Sequence, residues 1–141
     1  MSKRKNLGLL LVLFCALVML VGAGEDDDKG WTRLDEADTS HANAATVNKS
    51  EFTINDKDRN EGYTKLRVRN HGPSVRFTEI DILYSNNDVQ KIEMDKVAEN
   101  NEGTGPIDLK GKMREIRKVV AVYKVVGHHR AAGKLTLWGF K

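Results

Sequence analysis

The sequence predicts an all-β domain, an antiparallel β-sandwich of jelly-roll type with about eight short strands. Three observations predict it. Apolar and polar residues alternate through Tyr63–Met94 and again through Leu135–Phe140, the period at which a strand turns one face to a core. Turn-forming clusters interrupt that alternation at strand-length intervals, at Asn70-His-Gly-Pro73 and Ser85-Asn-Asn-Asp88. Finally, Arg114–Val126 is rich in β-branched residues and apolar on both parities at its centre, which disfavours helix and suits a strand buried on both faces.

The elements follow in chain order. Trp31-Thr-Arg-Leu34 is the first strand, and Asp35–Ala45 is a polar loop with a short helix over 36–45 as the alternative. Thr46-Val47 and Glu51-Phe-Thr-Ile54 are short strand pieces, and Asp56–Gly62 is an exposed turn. In Lys65–Arg69, Leu66 and Val68 share a dry face while Lys65, Arg67 and Arg69 share a wet, basic one. The next segment changes phase. Val75 and Phe77 are odd-numbered, whereas Ile80, Ile82 and Tyr84 are even-numbered, so a bulge or bend is expected near Thr78-Glu79. Val89–Met94 closes the meander, and Val97–Gly105 is a polar loop ending at Pro106. Ile107-Asp-Leu109 is a short strand and Arg114–Val126 the central one. Gly127–Gly133 is a hairpin tip. In the last strand Leu135, Leu137 and Gly139 share one face, with Thr136, Trp138 and Phe140 on the other.

The N-terminus has a separate character. Ser2-Lys-Arg-Lys5 precedes an apolar run from Leu7 to Val21, broken only by Gly8, and Val21-Gly-Ala23 then supplies small residues. This is the pattern of a secretory signal peptide over 1–23. The alternative is an uncleaved anchor, a short one against the roughly 20 apolar residues a span needs, and membrane contact is expected only through this segment. Both place the rest of the chain across the membrane, periplasmic or extracellular. Residues 24–30 form an acidic segment expected to be disordered, and 31–141 a single domain.

Removing 1–23 changes the bulk balance. The chain has 23 basic and 20 acidic residues; Lys3, Arg4 and Lys5 leave with the signal, so 20 of each sign remain. The basic balance is a targeting feature, and a nucleic-acid partner is not expected. Cys15 is the only cysteine and lies within the apolar run, so the remaining chain has no thiol chemistry and no disulfide. Charge stays unevenly placed: Glu25–Thr64 carries 11 acids and 5 bases, Lys65–Lys141 carries 9 acids and 15 bases.

Candidate sites follow from residue type and spacing. Lys65, Arg67, Arg69 and Arg76 form the candidate partner-binding set, suited to an anionic envelope polymer, a glycan or a protein. Asp56, Asp58 and Asn60 place oxygen donors at alternate positions, as calcium loops do, but Glu61 and Arg67 stand where the full motif needs glycine and an acid. His128-His129 is a zinc candidate only if the loop turns both rings to one ion. Glu79 and Asp81 share a strand face at a spacing open to paired-carboxylate chemistry, although that face is expected to meet water. Trp31 and Trp138 suit either a core or a stacking platform for sugars. No nucleophile elbow, phosphate loop or zinc-protease motif occurs, and no cofactor is expected.

Several stretches carry a resemblance: Lys65-Leu-Arg-Val-Arg, the Ile82-Leu-Tyr-Ser-Asn-Asn hairpin, Pro106-Ile-Asp-Leu-Lys-Gly with Arg114-Glu-Ile, and Leu135-Thr-Leu-Trp-Gly. Together they resemble a family of small exported bacterial β-rich proteins of unknown function, over about residues 31–141. The hairpin departs from the expected Asn-Gly by carrying Asn-Asn-Asp. The resemblance implies a signal peptide and a β-rich domain, and implies no activity and no site residues. The functional expectation is a non-enzymatic exported binding module. The alternatives are a metal-dependent hydrolase and a structural subunit that pairs through a sheet edge.

Overall fold

The two turn clusters and the period-two alternation translate directly into paired strands in the computed structural model, which describes residues 28–39, 46–127 and 133–141. Trp31–Lys141 form one compact unit. Of the acidic segment before it, only the turn Asp28–Gly30 is described. The strands are β1 (Trp31–Asp38), β2 (Asn48–Thr53), β3 (Lys65–His71), β4 (Val75–Tyr84), β5 (Val89–Ala98), β6 (Ile107–Asp108), β7 (Ile116–Val125) and β8 (Lys134–Phe140). They form two antiparallel four-stranded sheets, ordered β1-β8-β3-β6 and β2-β7-β4-β5. In this order β4 lies beside β5, β3 beside β6, β2 beside β7 and β1 beside β8. That nesting is the double Greek key of a jelly roll. Among the described residues no helix is long and apolar enough to cross a membrane.

The strand predicted to be central, within Arg114–Val126, is β7. β7 lies between β2 and β4 and buries Val119, Ala121, Tyr123 and Val125 on one parity and Val122 on the other. β8 lies between β1 and β3, with Leu135 and Leu137 fully buried. The phase change in β4 is a bulge: its register shifts between Phe77 and Glu79 against both β5 and β7. The extra residue lets Val75 and Phe77, and then Ile80, Ile82 and Tyr84, all reach the core. Asn87 takes a φ of 71° in the β4–β5 turn, the left-handed conformation asparagine tolerates. Asn70 is 1% exposed and anchors the β3–β4 turn, its amide donating to the Pro73 and Ala98 carbonyls at 3.0 and 3.1 Å.

Several boundaries differ from the sequence reading, and β2 is one strand over Asn48–Thr53 where the pieces Thr46-Val47 and Glu51–Ile54 were expected. β1 runs on to Asp38 where a loop or helix was expected, because β8 supplies a hydrogen-bonding edge for the polar residues Asp35–Asp38. β5 extends to Ala98 for the same reason, its partner being β4. The expected turn at 56–62 contains a single helical turn, α1 (Asp56–Arg59), capped by the Asn55 side chain accepting from the Asp58 N–H at 2.8 Å. Residues 40–45 of the expected helix and 128–132 of the expected hairpin tip lie outside the described residues.

A cationic and aromatic sheet face

The outer face of the β1-β8-β3-β6 sheet gathers most of the predicted binding residues. On β3, Leu66, Val68 and Asn70 turn inward, so period two puts Lys65, Arg67, Arg69 and His71 outward. On β8, Leu135, Leu137 and Gly139 turn inward, leaving Thr136, Trp138 and Phe140 outward. Register then fixes the neighbours: Lys65 opposes Phe140, Arg67 opposes Trp138 and Arg69 opposes Thr136. From the far side β1 sets Trp31 opposite Phe140 and Arg33 opposite Trp138. A row of cations thus abuts a row of aromatic rings.

The contacts are close. The Arg67 guanidinium lies 4.3 Å from the Trp31 ring centroid and 5.4 Å from that of Trp138. Arg69 lies 5.7 Å from Trp138, and Lys65 Nζ 5.8 Å from Phe140. Trp31 and Phe140 meet at 5.3 Å, tilted by 52°. Such cation–ring contacts contribute about 0.5–1 kcal/mol when exposed and roughly 2 when desolvated. Arg67 is 8% exposed, so its contacts sit toward the stronger end. Behind this row, the Trp138 indole N–H donates to Thr136 Oγ1 at 2.8 Å. Thr136 Oγ1 also meets His71 Nε2 at 2.9 Å. Acids also line this face: Glu36 pairs with Arg33 at 2.9 Å and Lys134 at 3.4 Å, and Asp108 on β6 stands opposite Lys65.

Arg76 does not belong to this face. It lies on β4 in the other sheet and pairs with Asp95 at 2.6 Å. The basic set read from the sequence is therefore split, because parity along a strand says nothing about which sheet the strand joins. Arg67, central to that set, is also enclosed rather than presented. Trp31 and Trp138, a full chain apart in sequence, lie on the same face through the β1–β8 pairing.

The remaining candidates stay apart from it. Of the calcium candidates, Asp58 lies in α1 and Asn60 at its C-cap, and the Asp56 side chain lies outside what the structure describes. His128 and His129 lie outside the described residues. Among the described residues no group of three or more His, Cys, Asp or Glu could hold a metal ion. Glu79 and Asp81 do share the outer face of the second sheet, between Lys91 and Glu93 on β5 and Val120 and Val122 on β7. Asp81 has one carboxylate oxygen buried without a hydrogen-bond partner. Burial, then the hydrogen bond and charge of Glu79, raise its pKa above the usual carboxylate value, against Lys91 and Lys49. At the β4–β5 turn a cavity of about 160 Å³ is lined by Tyr84, Ser85, Asn86, Arg114 and Glu115. There Arg114 stacks 3.8 Å from the Tyr84 centroid and donates to the Lys110 carbonyl at 2.8 Å.

Comparison with known proteins adds a family. A family described as "Domain of unknown function (DUF2541)" matches residues 9–139. The chain belongs to that family. No curated protein matches this chain. Among solved structures, this DUF2541 chain overlaps one described as "Crystal structure of PirA" at 7% identity and TM-score 0.38, covering 79% of this chain and 94% of that one. A tobacco streak virus coat protein overlaps at 12% identity and TM-score 0.36, with 77% and 84% covered. The family 32 CBM from C. perfringens NanJ, in complex with galactose, overlaps at 9% and 0.34, with 73% and 98% covered. At these scores no ligand or activity passes from any of them to this chain.

Proposed function

We propose that this DUF2541 protein is a non-enzymatic binding module, exported across a membrane, that holds an anionic partner on the outer face of the β1-β8-β3-β6 sheet. One observation carries the reading: Lys65 and Arg69 flank Trp138 and Phe140 on one open sheet face. Cations attract the partner over a Debye length of about 8–10 Å, and rings beside them supply apolar contact that a bare charge patch lacks. Export rests on the basic, apolar and small-residue order of 1–23.

The alternatives find less support. A hydrolase needs a constellation of groups, and Glu79-Asp81 stands without a histidine or nucleophile in register on either neighbouring strand. Edge pairing would suit β5, an outer strand of ten residues. However, Lys91, Glu93, Asp95 and Lys96 line it, and charges of that kind blunt an edge.

The test is retention of the purified protein on anionic vesicles, an acidic polysaccharide and polyphosphate. Lys65→Glu with Arg69→Glu is compared with Arg76→Glu. The wild type and Arg76→Glu should be retained on at least one matrix in a salt-sensitive way, and the double variant should elute. Equal retention of the double variant would remove this face from binding.

A further inference from the structure

His71, Thr136 and Trp138 form a hydrogen-bonded relay between β3 and β8. The Trp138 indole N–H, which can only donate, gives its hydrogen to Thr136 Oγ1 at 2.8 Å. The same oxygen lies 2.9 Å from His71 Nε2. Thr136 is 1% exposed and so is shut off from water. His71 and Trp138 on either side of it are half-buried, which leaves the His71 ring open to exchange a proton with solvent.

A hydroxyl carries one hydrogen and two lone pairs. Thr136 Oγ1 accepts the indole hydrogen, and its own hydrogen has His71 Nε2 as acceptor when that ring is neutral with its hydrogen on Nδ1. All three groups are then satisfied. An imidazolium carries hydrogen on both nitrogens and accepts at neither. Nε2–H must then donate to Oγ1, which takes a second incoming hydrogen beside that of the indole. The hydroxyl hydrogen loses its acceptor where water does not reach it.

Charges of both signs surround the ring. Arg69 precedes it on the same face of β3, and Lys134 opposes it on β8. On β1, Glu36 pairs with Lys134 at 3.4 Å and Asp38 stands opposite Lys134. After β5, the Glu102 carboxylate accepts from the Glu99 N–H at 3.0 Å, and Asn100 Oδ1 accepts from the Gly72 N–H at 3.0 Å. Among the described residues the hydrogen-bond partner of the His71 ring is Thr136, so a change in its proton count is felt there first.

We infer that His71 is a proton switch for this face: when its ring takes a second proton, the bond to Thr136 reverses and the hold on the Trp138 indole changes with it. This coupling needs no ligand and stands apart from the binding proposed above. If that binding holds, the switch adds a cation beside Arg69 and Lys134 and alters the ring that Arg67 and Arg69 approach.

NMR of the purified protein tests this, with the proton itself as the probe. The carbon-bound hydrogens of the His71 ring and the Trp138 indole N–H are followed across the range in which histidines change charge, about pH 8 to 5. The indole resonance should move with the same midpoint as the His71 ring. It should do so in Thr136→Ser and not in Thr136→Val. In His71→Gln, whose side-chain carbonyl accepts from Thr136 throughout, the indole should stay still. Solvent exchange of the indole hydrogen should be at least about tenfold faster in Thr136→Val than in the wild type.

An indole that stays still while His71 titrates, or a His71 that does not titrate over this range, would overturn the switch. So would an indole that still moves in His71→Gln, since Glu36, Asp38 or another histidine would then be its cause. Movement retained in Thr136→Val would overturn the relay through the hydroxyl. Should Thr136→Val fail to fold, the comparison of wild type with His71→Gln decides on its own.

Discussion

Gly139→Ala is the sharpest test of how the cationic and aromatic face is supported from behind. Gly139 lies between Trp138 and Phe140 on β8 and turns toward the core, where Tyr63 lies fully buried. A Cβ added there would sit 2.6 and 2.8 Å from two Tyr63 ring carbons and 3.0 Å from a Leu34 methyl. Ordinary carbon contacts lie at about 3.5–4.0 Å, so the ring must retreat by close to 1 Å. It has little freedom to do so. Tyr63 is tied at both backbone groups to Arg114, each bond 2.9 Å. Overpacking of this kind costs about 1–3 kcal/mol. With an unfolding entropy of about 2.1 cal/mol/K per residue, the 111 residues of Trp31–Lys141 convert that to a fall in Tm of roughly 4–13 °C. Thermal unfolding by circular dichroism measures it, with a urea series to confirm that the slope is unchanged. A Tm within about 2 °C of wild type would show that Tyr63 repacks freely and that the face is not braced as described.

Two further variants probe buried polar groups. Because Asp81 has a raised pKa when folded, the folded protein holds more proton there than the unfolded chain. That stabilisation is complete below the ordinary carboxylate pKa and is lost as pH rises through the raised value. Asp81→Asn should therefore be more stable than wild type at pH 7, by about 1 kcal/mol for an oxygen otherwise left unsatisfied. The gain should shrink on acidification toward the ordinary carboxylate range; denaturant melts at several pH values check it, and a gain independent of pH would refute a raised Asp81 pKa as its cause. Tyr63→Phe removes a hydroxyl that is buried without a hydrogen-bond partner. It should leave stability unchanged or raise it by up to about 1 kcal/mol, and a loss above that in the same melts would show that the hydroxyl is satisfied.

Local pattern carried the fold further than it carried the site. The bulge near Thr78-Glu79 was readable because a parity change within one apolar segment has few other solutions. The central position of β7 was readable because residues of both parities at its centre are apolar. The ends of β1 and β5 were not, since Asp35, Glu36, Asp38, Asp95 and Lys96 are charged and become strand only through a partner's hydrogen bonds. The site divides in the same way. Parity put Lys65, Arg67 and Arg69 on one side of a strand, and Thr136, Trp138 and Phe140 on one side of another. That β3 and β8 are neighbours depends on a long-range pairing that no spacing encodes. Hence Arg76 was grouped wrongly, and the partnership of His71 with Thr136 was missed.

The nesting of the strands has a consequence for timing. β4 and β5 are joined by a tight turn, whereas Trp31 must wait for Phe140, more than a hundred positions away. Contacts of such separation form late and slowly. A ribosome that has made seven strands has made the hairpin at the centre of the nest but no place for Trp31, Arg67 or Arg69 to dock, because β8 fills the slot between β1 and β3. A stalled or clipped chain lacking β8 therefore cannot assemble the ring-and-cation row at all, and only a molecule completed through its eighth strand presents it.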